Sequence, residues 1–231
     1  TAGRLGDMYG QRNLFAAGMA LFVLASAYCG LAPDTVHLIA GRVLQGMGGA
    51  LLTPQTLAII TTIFPPDRRG AAFGIWGAVA GVAAVTGPTL GGLLVTNWSW
   101  RWVFYVNLPV GVLALIATFV VIPDFRPGRR HSFDPVGILL ASAGIFAIVF
   151  GLIEGQPYDW GVVWSFVTVP MIIAAGVIIL VGFTFWERYQ SEPVVPLSLF
   201  RDRNYSLMNW TGALMSLGVL GLVLPFIIFL Q

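Results

Sequence analysis

Seven separate runs of predominantly apolar residues divide the chain, each close to or above the roughly 20 residues that an α-helix needs to cross the 30 Å hydrocarbon core of a bilayer. They lie at about Leu14 to Ala32, Val36 to Phe64, Ala71 to Thr96, Trp102 to Ile122, Val136 to Ile153, Val163 to Trp186 and Ser206 to Leu230. The residues are 57% hydrophobic and only 10% charged, with a mean hydropathy of +0.84; a soluble domain carries roughly 25% charged residues. Folded in water, such a chain has too few polar side chains to cover its outside. The expected fold class is therefore an all-α polytopic membrane protein. Strands are not expected, because the runs are continuous and rich in Gly, Ala and Leu, without the ten-residue alternation of a membrane barrel.

The breaks between runs hold Pro33-Asp34, Pro65-Pro66, Pro123-Asp124, Pro127-Gly128 and Gln156-Pro157. Proline lacks a backbone donor and clashes with the preceding turn, so these are helix stops. All twelve basic residues are arginine, and they alternate. Arg4, Arg12, Arg68, Arg69, Arg126, Arg129, Arg130, Arg188, Arg201 and Arg203 fall on one side of the expected spans, Arg101 on the other, and Arg42 within a span. The positive-inside rule then makes the ten-arginine side, and Thr1 with it, cytoplasmic. Trp98, Trp100 and Trp102 at one outer boundary, Tyr158, Trp160 and Trp164 at another, and Trp186 with Tyr189 at an inner one fit interfacial belts.

A net charge of +2 spread over isolated arginines gives no continuous basic face, so no nucleic-acid partner is expected. The single cysteine, Cys29, sits inside an apolar run and reads as a small buried residue. His37 and His131 have no ligand spacing, so neither a metal nor a cofactor is expected. The sequon Asn97-Trp98-Ser99 lies too close to the membrane to carry weight. Because the chain opens without methionine and closes inside an apolar run, it is expected to be a fragment lacking both ends.

Four stretches carry a family resemblance. The segment Gly3-Arg4-Leu5-Gly6-Asp7-Met8-Tyr9-Gly10-Gln11-Arg12, read as a compact charged turn, resembles the cytoplasmic signature between the second and third helices of the major facilitator superfamily. It matches at Gly3, Leu5, Asp7, Gly10 and Arg12, while Met8 and Gln11 stand where the family has basic residues. The resemblance implies a conformational latch through Asp7 and Arg12, with Gly3 and Gly10 permitting the turn. Leu38 to Ala50 is similar to the fourth-helix signature of the drug:proton antiporters of that superfamily. It contains Arg42, with Gln45 three residues on along the same face. An arginine within a span costs roughly 2.5–3.5 kcal/mol at the helix centre, so it calls for a polar partner. The resemblance links it to proton coupling, and Gly46, Gly48 and Gly49 suit close helix contact.

The third run resembles the antiporter signature of the fifth helix, with Gly87, Pro88, Gly91 and Gly92 in the pattern GPxxGG. Small residues at four-residue spacing (Gly77/Gly81 and Ala83/Gly87/Gly91) form a smooth ridge for helix packing, and Pro88 frees a carbonyl. Trp98 to Gly111, including Arg101, Asn107 and Pro109, resembles the entry to the sixth helix of the fourteen-helix antiporter subfamily. Anchoring of this external end is the role expected of those three residues.

The resemblance implies a partial major facilitator superfamily helix bundle with about seven transmembrane helices. Residues 1-122 correspond to part of the N-terminal six-helix bundle, 123-186 to a cytoplasmic loop and two extra linker helices, and 187-231 to a connection and the first helix of the C-terminal bundle. It implies proton-coupled export of small amphipathic or cationic compounds across the cytoplasmic membrane by alternating access. The partners are then a small-molecule substrate, protons and the bilayer, with accessory efflux proteins left open. The proton-carrying acid is expected in a first helix preceding Thr1. An enzyme is not expected, since no run holds clustered histidines, paired carboxylates or a nucleophile with a base. Glu154, Glu187 and Asp202 sit at span ends. A receptor or assembly protein on the same fold is the remaining alternative.

Overall fold

The computed structural model describes residues 2–124, 134–190 and 193–229. Arg126, Arg129, Arg130, His131 and the expected helix end at Leu230 lie outside the described residues. The chain divides into two compact units, Thr1–His131 and Ser132–Gln231.

In the first unit, α1 (Ala2–Tyr9) is followed by α2 (Gln11–Leu31), α3 (Thr35–Ile63), α4 (Pro66–Asn97), α5 (Trp102–Tyr105) and α6 (Asn107–Val121). The segment expected to be a charged turn is thus largely a helix. Only Gly10 breaks it, at φ 95°, a backbone angle that glycine reaches without a Cβ clash. Gly3 and Gly6 lie within α1.

Helix ends follow local chemistry. Asp34 caps α3 by accepting the His37 backbone N–H at 2.9 Å, satisfying one orphan donor of the first turn. Phe64 is extended at φ −92°, ψ 133° because Pro65 follows it, and Pro66 then opens α4. Arg69 reaches back to donate to the carbonyls of Thr61 at 2.7 Å and Phe64 at 3.1 Å, closing the end of α3. The run expected from Trp102 to Ile122 is interrupted at Val106, between α5 and α6. Pro109, with no N–H to offer the Tyr105 carbonyl, stands one turn beyond the break.

At the centre of the unit, α2 packs against α3, α5 and α6. Gly18 and Gly48 bring α2 and α3 together: a methyl built on Gly48 would lie 2.8 Å from the Phe22 nitrogen and 2.9 Å from the Gly18 carbonyl oxygen. Gly46 and Gly49 face open space instead. In lipid, where apolar side chains gain little by meeting each other, such backbone proximity is a main source of helix association.

The second unit contains α7 (Pro135–Glu154), a hairpin of β1 (Val162–Trp164) and β2 (Val167–Thr168), α8 (Val169–Tyr189), a 3₁₀ turn at Leu197–Arg201 and α9 (Arg203–Phe229). The hairpin corrects two expectations, the absence of strands and the start of the sixth span at Val163. β1 pairs antiparallel with β2, and Ser165, at φ 53°, turns the chain between them. Its residues are as apolar as a span, but α8 begins only at Val169. Gly144 and Gly176 repeat the glycine contact between α7 and α8, with a methyl on Gly176 falling 2.8 Å from the Gly144 carbonyl. Asp134 caps α7 through the Gly137 N–H at 2.9 Å, and Asp202 caps α9 through the Asn204 and Tyr205 N–H groups at 2.8 and 3.0 Å.

Six helical stretches among the described residues are long and apolar enough to cross a membrane: Gln11–Leu31, Thr35–Ile63, Pro66–Asn97, Trp102–Val121, Pro135–Glu154 and Val169–Tyr189. The seventh expected run coincides, up to Phe229, with the 27-residue α9. Large apolar side chains point outward along these helices, Leu113, Val120, Phe146 and Ile178 among them, as they do where lipid is the solvent.

Candidate functional site

Between α2, α3 and α6, about two turns from the end of the bundle that holds Asp34, an otherwise apolar contact contains a connected set of polar groups. Ser26 of α2 is fully buried. Its hydroxyl donates to the Phe104 carbonyl at 2.9 Å, at the place where the break between α5 and α6 interrupts the helical ladder. Gln45 of α3, 3% exposed, donates from Nε2 to Ser26 Oγ at 3.1 Å. Asn107, first residue of α6, donates from Nδ2 to the same oxygen at 3.1 Å and to the Val103 carbonyl at 3.4 Å. Arg42 closes the set, donating from Nη1 to Gln45 Oε1 at 2.6 Å, with its guanidinium 6.0 Å from the centre of the Phe104 ring.

Arg42 and Gln45, on successive turns of α3, are thereby brought together with Asn107, which the sequence placed in a different motif. Ser26 was missed. A single hydroxyl in the run Ala25-Ser26-Ala27 has no distinguishing signal, because a serine within a helix normally bonds its own backbone.

Closer to the same end, Arg101 donates to the Ala32 carbonyl at 3.0 Å, capping the C-terminus of α2, and its guanidinium lies 4.8 Å from the Trp100 ring centre. The Tyr105 hydroxyl donates to the Gly30 carbonyl at 2.8 Å. Cys29 is buried, its Sγ 3.9 Å from the Leu38 carbonyl oxygen. His37 is engaged by Asp34, its Nδ1 2.8 Å from the carboxylate.

At the opposite end, Arg12 pairs with Asp124 at 3.6 Å, donates to the Ile122 carbonyl at 3.4 Å and lies 5.8 Å from the Phe119 ring centre. Gln11, buried beside it, accepts from the Thr62 hydroxyl at 3.2 Å. The start of α2 is thus tied to the ends of both α3 and α6. Asp7 lies on α1, and Gly3 faces open space. A methyl built on Gly87, Gly91 or Gly92 of α4 would meet no other helix within 4 Å among the described residues, and α4 runs through Pro88 without interruption. The packing ridge expected of them is therefore turned toward no helix in the described structure.

The family model of the Major Facilitator Superfamily matches residues 1–230. An uncharacterized MFS-type transporter of Mycobacterium tuberculosis is 45% identical over 100% of this chain and 39% of its own length. The tetracenomycin C resistance and export protein of Streptomyces glaucescens is 39% identical, over 96% of this chain and 40% of its own. The multidrug transporter protein MdtP of Bacillus subtilis is 34% identical, over 100% and 42%. The chain belongs to the major facilitator superfamily, whose transporters handle small-molecule substrates. Together with the six apolar helices, this makes it part of a multi-pass membrane protein. It spans about two fifths of the length of these relatives.

Proposed function

We propose that the protein exports small amphipathic or cationic compounds across the cytoplasmic membrane, by alternating access and driven by protons moving inward. The observation that carries this reading is Arg42, a permanent charge within a span, held by Gln45 at 2.6 Å on the edge of a buried polar cluster. A guanidinium in such a place offers five N–H groups, and Gln45 takes one of them. The others suit an acidic group carried elsewhere in the protein, whose proton affinity a nearby cation lowers. Relatives named as export and multidrug transport proteins support the same reading.

This reading keeps the fourteen-helix arrangement that the resemblance implies. Residues 1-122 supply helices three to six of the N-terminal bundle, 123-186 the loop and two linker helices, and 187-231 the connection and the first helix of the C-terminal bundle. The ten arginines on one side support a cytoplasmic Thr1 by the positive-inside rule. Arg12, expected to work with Asp7, stands 3.6 Å from Asp124, and this reading takes the Arg12–Asp124 pair as the cytoplasmic contact that differs between the two states of the transporter.

Reconstitution tests the proposal. The full-length protein in vesicles should move a cationic dye when a pH gradient is imposed and stop when the gradient is collapsed. Dye movement indifferent to the gradient would remove proton coupling, and no movement at all would remove the exporter reading. Arg42→Ala should abolish the dependence on the gradient at equal expression; unchanged coupled efflux would take Arg42 out of the mechanism.

A further inference from the structure

The direction of every hydrogen bond in the cluster is set by one group. The Phe104 carbonyl is able only to accept, so the Ser26 proton is committed to it at 2.9 Å. A hydroxyl has one proton and two lone pairs. With the proton spent, Ser26 Oγ is available to donors alone, and it takes two, Gln45 Nε2 and Asn107 Nδ2, each at 3.1 Å. The Gln45 amide must then turn its nitrogen toward Ser26 and its oxygen toward Arg42, where Nη1 meets it at 2.6 Å. Reversed, the amide would face the donor-only guanidinium with its own N–H₂ and present its oxygen to a hydroxyl with no proton left. Water cannot relieve that arrangement, because Gln45 is 3% exposed and Ser26 fully buried.

We propose that Ser26 and Asn107 are positioning residues of the transport mechanism. Through Gln45 they hold Arg42 in one orientation, and so set how strongly its charge acts on the protonating group. This rests on the reading that Arg42 takes part in proton coupling. Asn107 belongs to the break between α5 and α6, and Ser26 to α2, so the orientation of an arginine on α3 is determined from two other helices. The Asn107-Leu108-Pro109 stretch has a part in this beyond anchoring the external end. Asn107 occupies the second lone pair of Ser26, and the Phe104 carbonyl that fixes the Ser26 proton lies in α5, beside the break at Val106.

The experiment uses the full-length protein reconstituted in vesicles, with ethidium as the transported dye and external pH varied. The readout is the pH at which efflux is half-maximal, separated from the maximal rate. Ser26→Ala and Asn107→Leu should each move that midpoint by about half to one unit, in the direction in which Arg42→Ala moves it. Ser26→Thr, which keeps the hydroxyl, should restore the original midpoint, and adding Ser26→Ala to Arg42→Ala should move it no further. A wild-type midpoint in Ser26→Ala, beside a displaced one in Arg42→Ala, would overturn the positioning role and leave the coupling reading standing. A full additive shift in the double variant would do the same. If Arg42→Ala itself leaves the midpoint in place, the coupling reading falls first and takes this one with it. Should Ser26→Ala not reach the membrane, Asn107→Leu provides the test: a wild-type midpoint in that variant, beside a displaced one in Arg42→Ala, would overturn the proposal.

Discussion

Gly18 of α2 and Gly48 of α3 meet backbone to backbone: a methyl on Gly18 would stand 3.1 Å from the Gly48 carbonyl oxygen, and one on Gly48 would stand 2.9 Å from that of Gly18. Neither obstacle is a flexible side-chain end, so the helices themselves would have to separate. Gly48→Ala is expected to destabilise the protein by about 1–3 kcal/mol, the range for overpacking a closed contact. Gly49→Ala, whose methyl would meet nothing within 4 Å, should stay within about 0.5 kcal/mol. Thermal unfolding of the two variants in the same detergent checks the difference, and equal melting temperatures would contradict it.

The start of α3 should respond to acid. Asp34 accepts the His37 backbone N–H at 2.9 Å and the His37 ring at 2.8 Å, and these bonds hold its carboxyl below the ordinary value. A carboxyl whose folded pKa is depressed favours folding once pH exceeds its unfolded pKa, about 3.9. That contribution disappears as pH falls through the lower, folded value. The gap in melting temperature between wild type and Asp34→Ala should therefore shrink as pH falls from about 5 toward 3. A gap unchanged across that window would show that the cap works through shape and not through its charge.

Length and hydropathy made the helices readable, since each crossing needs an uninterrupted apolar stretch bounded by proline or charge. Two features escaped for the same reason. The β1–β2 hairpin is built from Val162, Val163, Trp164, Phe166 and Val167, and the break at Val106 lies between Phe104, Tyr105 and Leu108, so hydropathy alone does not separate either from a span. The glycines from 3 to 10 suggested a turn, yet only Gly10 adopts the angle that demands glycine. Within the site, Arg42 declared itself by its cost in a membrane, and Gln45 by its spacing. Ser26 and the Phe104 carbonyl did not, because a hydroxyl among alanines and a backbone oxygen acquire their role only when three helices meet.

Arg12 and Asp124 are 24% and 29% exposed, and at 3.6 Å their pair is worth less than about 1 kcal/mol. Arg12→Leu should accordingly leave the melting temperature nearly unchanged while slowing dye efflux, because a contact that differs between two states alters their balance even when it adds little to folding. A double-mutant cycle with Asp124→Ala checks the pairing: the two losses of efflux should not add. Full additivity would mean that Arg12 acts through the Ile122 carbonyl, 3.4 Å away, and not through the carboxylate.

Adjacent residues on α8 reach two different partners. The Trp186 indole donates to the Asp134 carboxylate at 3.2 Å, tying α8 to the cap of α7, while Glu187, only 3% exposed, accepts the backbone N–H groups of Val194 at 3.1 Å and Val195 at 3.2 Å. Each carboxylate oxygen takes one N–H, so the chain beyond α8 is held by a two-pronged acceptor that no neutral side chain of this length reproduces. Glu187→Gln keeps the size but offers one oxygen; its amide nitrogen must then face the other N–H. The expected cost is about 1–3 kcal/mol, the penalty of leaving a buried donor unmatched. Trp186→Phe removes a single indole bond and should cost about 1 kcal/mol, with the Val194 and Val195 bonds intact. Amide hydrogen exchange distinguishes the two: exchange at Val194 and Val195 should accelerate in Glu187→Gln and keep its wild-type rate in Trp186→Phe. Equal acceleration in both would mean that the segment is held by the α7–α8 contact as a whole, and not by Glu187.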